Sequence, residues 1–313
     1  ALLASIAREG TLSLVHEGRR FFAPRTLEAL AELVAAHPGA RLLAGGTDVA
    51  LLVTKEHRAL DTIISLTAIP ELAAVAVSGT HVEIGGAATY TDAHAVLQRH
   101  HPDLGELIRR IGSVQIRNVG TLGGNVANAS PIGDTLPALM ALDASLVLLQ
   151  GAARREVPVD GFFLGYRKTA LRPGEIIERI RVPVRSADRQ FRAYKVSKRF
   201  DQDISAVCGA FTIALAEGRV RDVRLCYGGV AATPARARAT ERALVGRTWD
   251  DATVSSVLPV LDGELAPISD MRASASYRRL VARNLLRKLQ LETAPRDAAP
   301  PAATRVLAAA EEA

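Results

Sequence analysis

Cysteine is almost absent: the 313 residues contain only Cys208 and Cys226, and all seven histidines lie at or before His101. Without CxxC spacing or a nearby histidine, a structural zinc or iron–sulfur site built from this chain is excluded. Two buried thiols of a cytoplasmic protein are the expectation, ahead of a disulfide. Aromatics make up 4% of the sequence. No dense Lys/Arg block carries interleaved aromatics, so the net charge of +6, mostly arginine, reads as a solvated surface and not as a nucleic-acid site. No apolar run approaches the roughly 20 residues a membrane helix needs. The longest, Leu136 to Leu149, is broken by Pro137, Asp143 and Ser145. The chain opens on Ala1-Leu2-Leu3-Ala4 with neither Met nor a basic leader. That reads as the interior of a longer polypeptide or a processed start, and not as a signal peptide.

Several nucleotide and hydrolase signatures are missing too. None of the 24 glycines stands in a G-x-G pair, no glycine precedes a lysine, and neither HExxH nor G-x-S-x-G occurs. A Rossmann fingerprint, a Walker A loop, a zincin helix and a nucleophile elbow are thereby disfavoured.

The length suggests about two domains. Residues 1–23 show no period and read as a linker. Thr26 can cap a helix with Leu27, Leu30, Leu33 and Val34 on one face, ended by Pro38-Gly39. Strands are expected at Leu42–Ala44, Thr62–Leu66, Val82–Ile84, Leu142–Leu149 and Glu175–Val182. Helices are expected from Thr91-Asp92 and over Leu104–Ile111. The charged stretch Val184 to Arg189 is the candidate domain boundary. Strands at Arg192–Val196, Ala206–Ala214 and Val220–Tyr227 follow. A helix is expected from Thr233-Pro234 and a longer one after Ser269-Asp270, which together suggest an α+β layer. The Ala/Pro-rich tail, 293–313, reads as disordered.

Two glycine turns carry the chemistry. Arg41-Leu42-Leu43-Ala44-Gly45-Gly46-Thr47-Asp48 runs from a strand into a glycine turn and a helix start. Thr121-Leu122-Gly123-Gly124-Asn125 repeats the theme with polar partners. Glycine allows φ > 0 and leaves no Cβ between successive N–H groups and an anion. Two such sites suit a diphosphate; singly, each also reads as an ordinary tight turn. The segment Gly112 to Asp134 is long, polar and glycine-rich; within it Asn125 to Asp134, small-residued and polar between two apolar elements, is hard to explain as a plain loop, and its backbone needs hydrogen-bond partners that a bound cofactor would supply. Asp134 is placed to accept from ribose or adenine groups. Tyr194 to Asp203 puts four charges and an aromatic after a strand, which pattern alone assigns to an exposed hairpin.

Taken together and in this order, Leu42–Asp48, Gln115–Asn118 leading into Thr121–Asn125, Ala129–Asp134, Gly165–Thr169, Tyr194–Asp203 and Ser269–Arg278 resemble the FAD-binding portion of xanthine dehydrogenases, in the molybdenum hydroxylase family. The resemblance runs from about Phe22 to about Leu291. It implies an α+β fold: a vanillyl-alcohol-oxidase-type, non-Rossmann FAD-binding domain over residues 22–186, with subdomains near 22–70 and 71–186. A smaller α+β domain, 190–292, would resemble the carbon monoxide dehydrogenase flavoprotein C-terminal domain.

By the same resemblance, Arg41 to Asp48 and Thr121 to Asn125 contact the diphosphate and ribityl atoms, and Asp134 is the adenosine-side carboxylate. Ile111, Ile176 and Ile177 make apolar cofactor contacts, with Ile111 where relatives can carry an aromatic. Lys195 sits beside the flavin, where a cation stabilises negative charge on reduction. Tyr166 and the run Lys198 to Asp203, with Asp201, Gln202 and Asp203, line nicotinamide access. No protein residue is expected to be catalytic, because the flavin performs the chemistry. Electrons would come from iron–sulfur clusters and a molybdenum cofactor in partner domains or chains of a cytoplasmic hetero-oligomer, and would leave as hydride from flavin N5 to NAD. The alternatives are the flavin subunit of a carbon monoxide dehydrogenase or another molybdenum hydroxylase, and a non-catalytic nucleotide-binding scaffold.

Overall fold

The computed structural model describes residues 10–294, which form two compact units. The first comprises residues up to Ser130 together with Asp143–Val184; the second comprises Pro131–Leu142 and the chain from Arg185. Residues 1–9 of the expected linker and 295–313 of the expected tail lie outside the described residues.

The first unit opens with a hairpin of β1 (Leu12–His16) and β2 (Arg19–Ala23). Glu17 and Gly18 both take positive φ, +48° and +78°, as the tight twisted turn of a hairpin requires. This corrects the linker reading of residues 1–23. Four of the five β1 side chains are exposed, so an edge strand of this kind leaves no alternating apolar pattern. Helix α1 (Leu27–Ala36) follows, its Ala29 N–H capped by Thr26 as expected. β3 (Arg41–Leu43) and β4 (Thr62–Ser65) complete a sheet ordered β1-β2-β4-β3, with β2 and β3 both parallel to β4. Its apolar face packs Leu30, Ile64, Leu66, Ile69 and Leu72 into one core.

The second sheet of this unit contains β5 (Val75–Ser78), β6 (His81–Gly85), β7 (Ser145–Gln150), β8 (Ala153–Pro158) and, after the small hairpin of β9 (Phe163–Gly165) and β10 (Lys168–Thr169), β11 (Ile176–Pro183). It runs antiparallel in the order β5-β6-β11-β7-β8. Between β3 and β6 lie α2 (Val49–Thr54) and α3 (Pro70–Ala73). α4 (Tyr90–His100) begins at Tyr90, just before the expected start at Thr91-Asp92. Thr89 and Asp92 close a capping box, Asp92 being the third helical residue and not the cap. α5 (Pro102–Arg109) packs on α4.

The polar, glycine-rich stretch from Gly112 to Asp134 is mostly helical. α6 (Val114–Val119) is capped by Ser113 and α7 (Leu122–Asn128) by Thr121. Both are too short to show a clear apolar period. Of Asn125–Asp134, only Asn125 to Asn128 lie in α7, where the Asn125 N–H donates to Thr121 O.

The second unit contains α8 (Thr135–Ala141), all of whose residues are buried, packed on an antiparallel sheet. The sheet runs β12 (Gln190–Val196), β13 (Val207–Ala216), β14 (Arg219–Gly228), β15 (Ala235–Arg236). Thr233-Pro234 therefore leads into a strand: Ala235 pairs with Tyr227, and the helix α9 (Arg238–Leu244) starts later than expected. α10 (Asp251–Glu264) is a helix that the sequence reading lacks, since Pro259 interrupts its pattern. α11 (Ala275–Thr293) is capped by Ser274. Phe211, Tyr227, Trp249, Leu261 and Leu286 lie in the unit's apolar core.

Candidate functional site

The first glycine turn joins β3 to α2. Gly46 takes φ +72°, a conformation that L side chains rarely adopt. Among the described residues, the N–H groups of Gly45, Gly46, Thr47 and Asp48 donate to no protein acceptor. Four successive amide donors at a left-handed turn form a concave, electropositive surface. A Cβ added at Gly46 would have only Leu43 Cδ1, at 3.4 Å, as a near neighbour, so this face of the turn is open.

Gly45 has the opposite environment. A Cβ there would lie 1.8 Å from the carbonyl oxygen of Val119 and 2.9 Å from Gly120 Cα. The first turn therefore rests on the chain that leads into the second. Gly120 in turn approaches Thr47, whose Cγ2 lies 3.7 Å from its added Cβ, and its carbonyl accepts from the Tyr90 N–H at 2.9 Å. A third turn completes the cluster: a Cβ on Gly123 would lie 2.2 Å from Gly86 O, and one on Gly86 would lie 2.0 Å from Ile177 O. Glycine is needed at 45, 86 and 123 because backbone meets backbone. The sequence reading ended a strand at Ile84 and drew nothing from the Gly85-Gly86 pair that follows it.

The second turn is more self-contained than expected. Thr121 Oγ1 accepts from the Gly124 N–H at 3.0 Å, the Leu122 N–H donates to Ala88 O at 3.3 Å, and the Asn125 N–H donates to Thr121 O at 3.0 Å. A Cβ on Gly124 would strike that capping hydroxyl at 2.7 Å. This segment braces the site more than it offers donors.

Other expected residues of this unit are spread more widely. Arg41 begins β3 and lines a cavity of about 500 Å³ with His37, Arg58 and Asp61. Leu42 and Ala44 pack on the core, and Ile176, 5% exposed, belongs to that core with Leu30 and its strand partner Leu149. Ile177 meets Gly86 through its carbonyl. Ile111 precedes Gly112, and Arg117 donates to both carbonyls, at 3.1 and 2.8 Å. Tyr166, 63% exposed, precedes Arg167, whose Nη2 lies 3.9 Å from Asp48 Oδ1. The tip of the β9–β10 hairpin thus sits beside the first glycine turn.

In the second unit Lys195, on β12, and Asp134, just before α8, form a buried ion pair at 2.5 Å, their side chains 2% and 6% exposed. Ser205 completes it, donating to the other Asp134 oxygen at 2.5 Å and accepting from Lys195 Nζ at 3.1 Å. The sequence reading gave Asp134 to the adenosine end and Lys195 to the flavin end of an extended cofactor. Two residues in contact cannot serve both ends, so one of these assignments falls. Asp201, Gln202 and Asp203 lie on the loop between β12 and β13. Gln202 takes φ +54°, and the N–H of Arg199, helped by the Ile204 N–H and opposed by burial, holds the Asp203 carboxyl below the usual carboxylate range. Ser205, Gly86 and the Val119–Gly120 contact are the residues that sequence reasoning missed.

Comparison with known proteins bears on both units. Residues 16–185 match the family of the FAD binding domain in molybdopterin dehydrogenase, and residues 192–293 match the CO dehydrogenase flavoprotein C-terminal domain. The chain is 34% identical over 256 residues to the xanthine dehydrogenase/oxidase of Gallus gallus, covering 77% of this chain but 19% of that protein. It is 31% identical over 271 residues to the glyceraldehyde dehydrogenase medium chain of Sulfolobus acidocaldarius, covering 86% of this chain and 96% of that one. The carbon monoxide dehydrogenase structure from Hydrogenophaga pseudoflava superposes with a TM-score of 0.82 at 28% identity, covering 88% of this chain and 96% of that chain. The expected fold, an FAD-binding domain followed by a smaller domain of the carbon monoxide dehydrogenase flavoprotein type, is the one found.

Proposed function

The chain belongs to the family of FAD-binding domains of molybdopterin dehydrogenases, and from that premise we propose that it holds FAD as the electron-relay part of a molybdenum hydroxylase of the xanthine dehydrogenase type. The observation that carries this reading is the row of four unpartnered N–H groups at Gly45 to Asp48. They fit a diphosphate, which needs convergent donors and no intruding Cβ. Gly45, Gly86 and Gly123 hold the turn by letting backbones touch. Thr121 caps the brace beneath it, and Asp48 aligns Arg167 near the same turn. Lys195 is the cation proposed to stabilise negative charge gained by the flavin, with Asp134 fixing its position rather than meeting adenosine. Ile176 faces the core and is dropped from the proposed contacts; Ile111, Ile177 and Asn125 remain candidates.

When bound, FAD would supply the redox chemistry, taking electrons from iron–sulfur clusters of a partner and passing hydride to NAD. The molybdenum cofactor and the clusters are assigned to partner domains or chains of a hetero-oligomer. Among the described residues no His/Cys/Asp/Glu group could hold a metal, and no helix is long and apolar enough to cross a membrane. Cys208 and Cys226 are buried and form no disulfide, as suits a chain that works in the cytoplasm. Tyr166, Asp201, Gln202 and Asp203 are proposed for nicotinamide access.

A second reading has its own support. The chain matches nearly the full length of a medium chain from a glyceraldehyde dehydrogenase and of a carbon monoxide dehydrogenase chain. It could equally be the separate flavin subunit of such an enzyme. The first turn keeps its row of open donors, which disfavours a scaffold without flavin.

The test is direct. Purified full chain reconstituted with FAD should show the flavin's own absorbance near about 450 nm at one cofactor per chain; folded protein that takes up no FAD overturns the reading. Mixing the reduced protein with NAD or oxygen in a stopped-flow cell then separates the dehydrogenase from the alternatives, since only the former is reoxidised by NAD.

A further inference from the structure

The pair Asp134–Lys195 is closed into a triangle by a third side chain. Ser205 Oγ donates to Asp134 Oδ1 at 2.5 Å and accepts from Lys195 Nζ at 3.1 Å, while Lys195 itself takes Asp134 Oδ2 at 2.5 Å. All three residues are buried, Ser205 at 1% exposed. The hydroxyl occupies the carboxylate oxygen that the ammonium leaves open. Asp134 is thereby prevented from rotating about its own axis, and the ammonium is held at one edge of the carboxylate.

Ser205 is itself held by a buried guanidinium. Its neighbour Ala206 offers its carbonyl to Arg278 Nη1, which also donates to Gly229 O at 3.0 Å, and Arg278 Nη2 pairs with Asp270 at 2.7 Å. Arg278 is 2% exposed. The Gly229 N–H donates to Pro131 O at 2.8 Å, in the same short segment as Asp134. One arginine on α11 therefore ties the start of β13, the chain beyond β14 and the segment before α8. The first and last of these carry Ser205 and Asp134, two members of the triangle, and Lys195 joins them through the pairing of β12 with β13, where Lys195 lies opposite Cys208. Gly229, at φ +80°, has no room for a Cβ, which would lie 2.5 Å from Ala206 O and 3.0 Å from Arg278 Nη1.

We propose that Ser205 is a positioning residue for the Lys195 ammonium and that Arg278 keeps Ser205 in register. The consequence for the cofactor rests on the reading of Lys195 as the flavin's cationic neighbour. A serine hydroxyl suits the role because it donates and accepts at once. An alanine here would leave Asp134 Oδ1 buried with one donor fewer, and the ammonium free to slide across the carboxylate.

The test uses the full chain in two states. In flavin-free protein labelled with ¹⁵N-lysine, Ser205→Ala should raise the exchange rate of the Lys195 ammonium protons by about tenfold, the equivalent of one lost hydrogen bond to a charged group. Ser205→Thr should restore it. Arg278→Lys should raise the rate in the same sense without touching Lys195 directly. In FAD-loaded protein, Lys195→Met should lower the flavin midpoint potential. Ser205→Ala should move it in the same direction by a smaller amount, with Ser205→Thr again restoring it. An unchanged exchange rate in folded Ser205→Ala protein overturns the positioning role of Ser205 whatever the flavin does. An altered exchange rate with no change of potential in Lys195→Met overturns instead the placement of Lys195 at the flavin, and with it the effect of Ser205 on the cofactor.

Discussion

Lys195 Nζ lies 2.5 Å from Asp134 Oδ2 across 61 residues of sequence, and both side chains are almost wholly removed from solvent. Truncating one partner leaves the other charge buried and unpaired. Asp134→Ala is expected to cost about 3–5 kcal/mol in unfolding free energy. The double replacement Asp134→Leu with Lys195→Met should recover much of that loss, because an apolar pair avoids the desolvation of both ions. Urea denaturation of the three variants checks this. A single-variant loss as small as that of a surface ion pair would contradict the buried pairing.

The two glycines of the first turn should respond differently. Gly45→Ala brings a Cβ against a backbone carbonyl with nothing flexible to yield, so the variant should lose FAD and unfold at lower temperature. Gly46→Ala meets open space but strains the backbone, and is expected to cost about 1–2 kcal/mol while retaining the contact with Val119. Flavin absorbance per chain, together with the melting midpoint, separates the two. Equal behaviour would mean that the turn does not rest on Val119.

Thr121 caps α7 through the Gly124 N–H. Thr121→Ala should destabilise the protein by about 1 kcal/mol, and Thr121→Ser should be nearly silent, because only the hydroxyl is needed. Chemical denaturation of both variants measures the difference.

Two buried carboxylates, Glu175 just before β11 and Glu178 on it, flank the apolar pair Ile176 and Ile177. Burial would raise the Glu178 carboxyl, but hydrogen bonds from Arg154 and Arg179, reinforced by their charges, hold it below the ordinary carboxylate value. Arg155 does the same for Glu175, against burial and with help from the Arg172 N–H. A carboxyl lowered in the folded state adds stability that is present above its unfolded value and is lost as the pH falls through the folded one. Stability should therefore decline on the acid side of the normal carboxylate range. Glu178→Gln should flatten that decline while costing about 2 kcal/mol near neutral pH. Unfolding free energies across acid pH for the parent and the variant provide the comparison; parallel curves would remove Glu178 from the acid response.

The glycine turns were legible as turns from their glycine pairs, and as a candidate diphosphate site only when the two were taken together. Their contact was not, since Gly45 and Val119 are brought together only by packing of distant segments. The hairpin Leu12 to Ala23 was invisible because its edge strand is exposed on both faces and lacks alternation. Helices α6 and α7 hid inside an apparent loop because six or seven residues are too few to show a period, although Ser113 and Thr121 mark their starts. Ser205 carried no motif and gains its part only from the two charges beside it.

By itself the sequence determined the class of ligand and the kind of fold. Glycine pairs without G-x-G, two cysteines, no long apolar run and the order of its motifs are local properties, set by what each side chain allows its own backbone to do. Only the tertiary structure decided that Gly45 meets Val119 and Gly123 meets Gly86, that Ile176 belongs to the core, and that Asp134 pairs with Lys195. Those are matters of distance between residues far apart in the chain. A buried charge or a missing Cβ acquires its meaning from the atom that folding places against it.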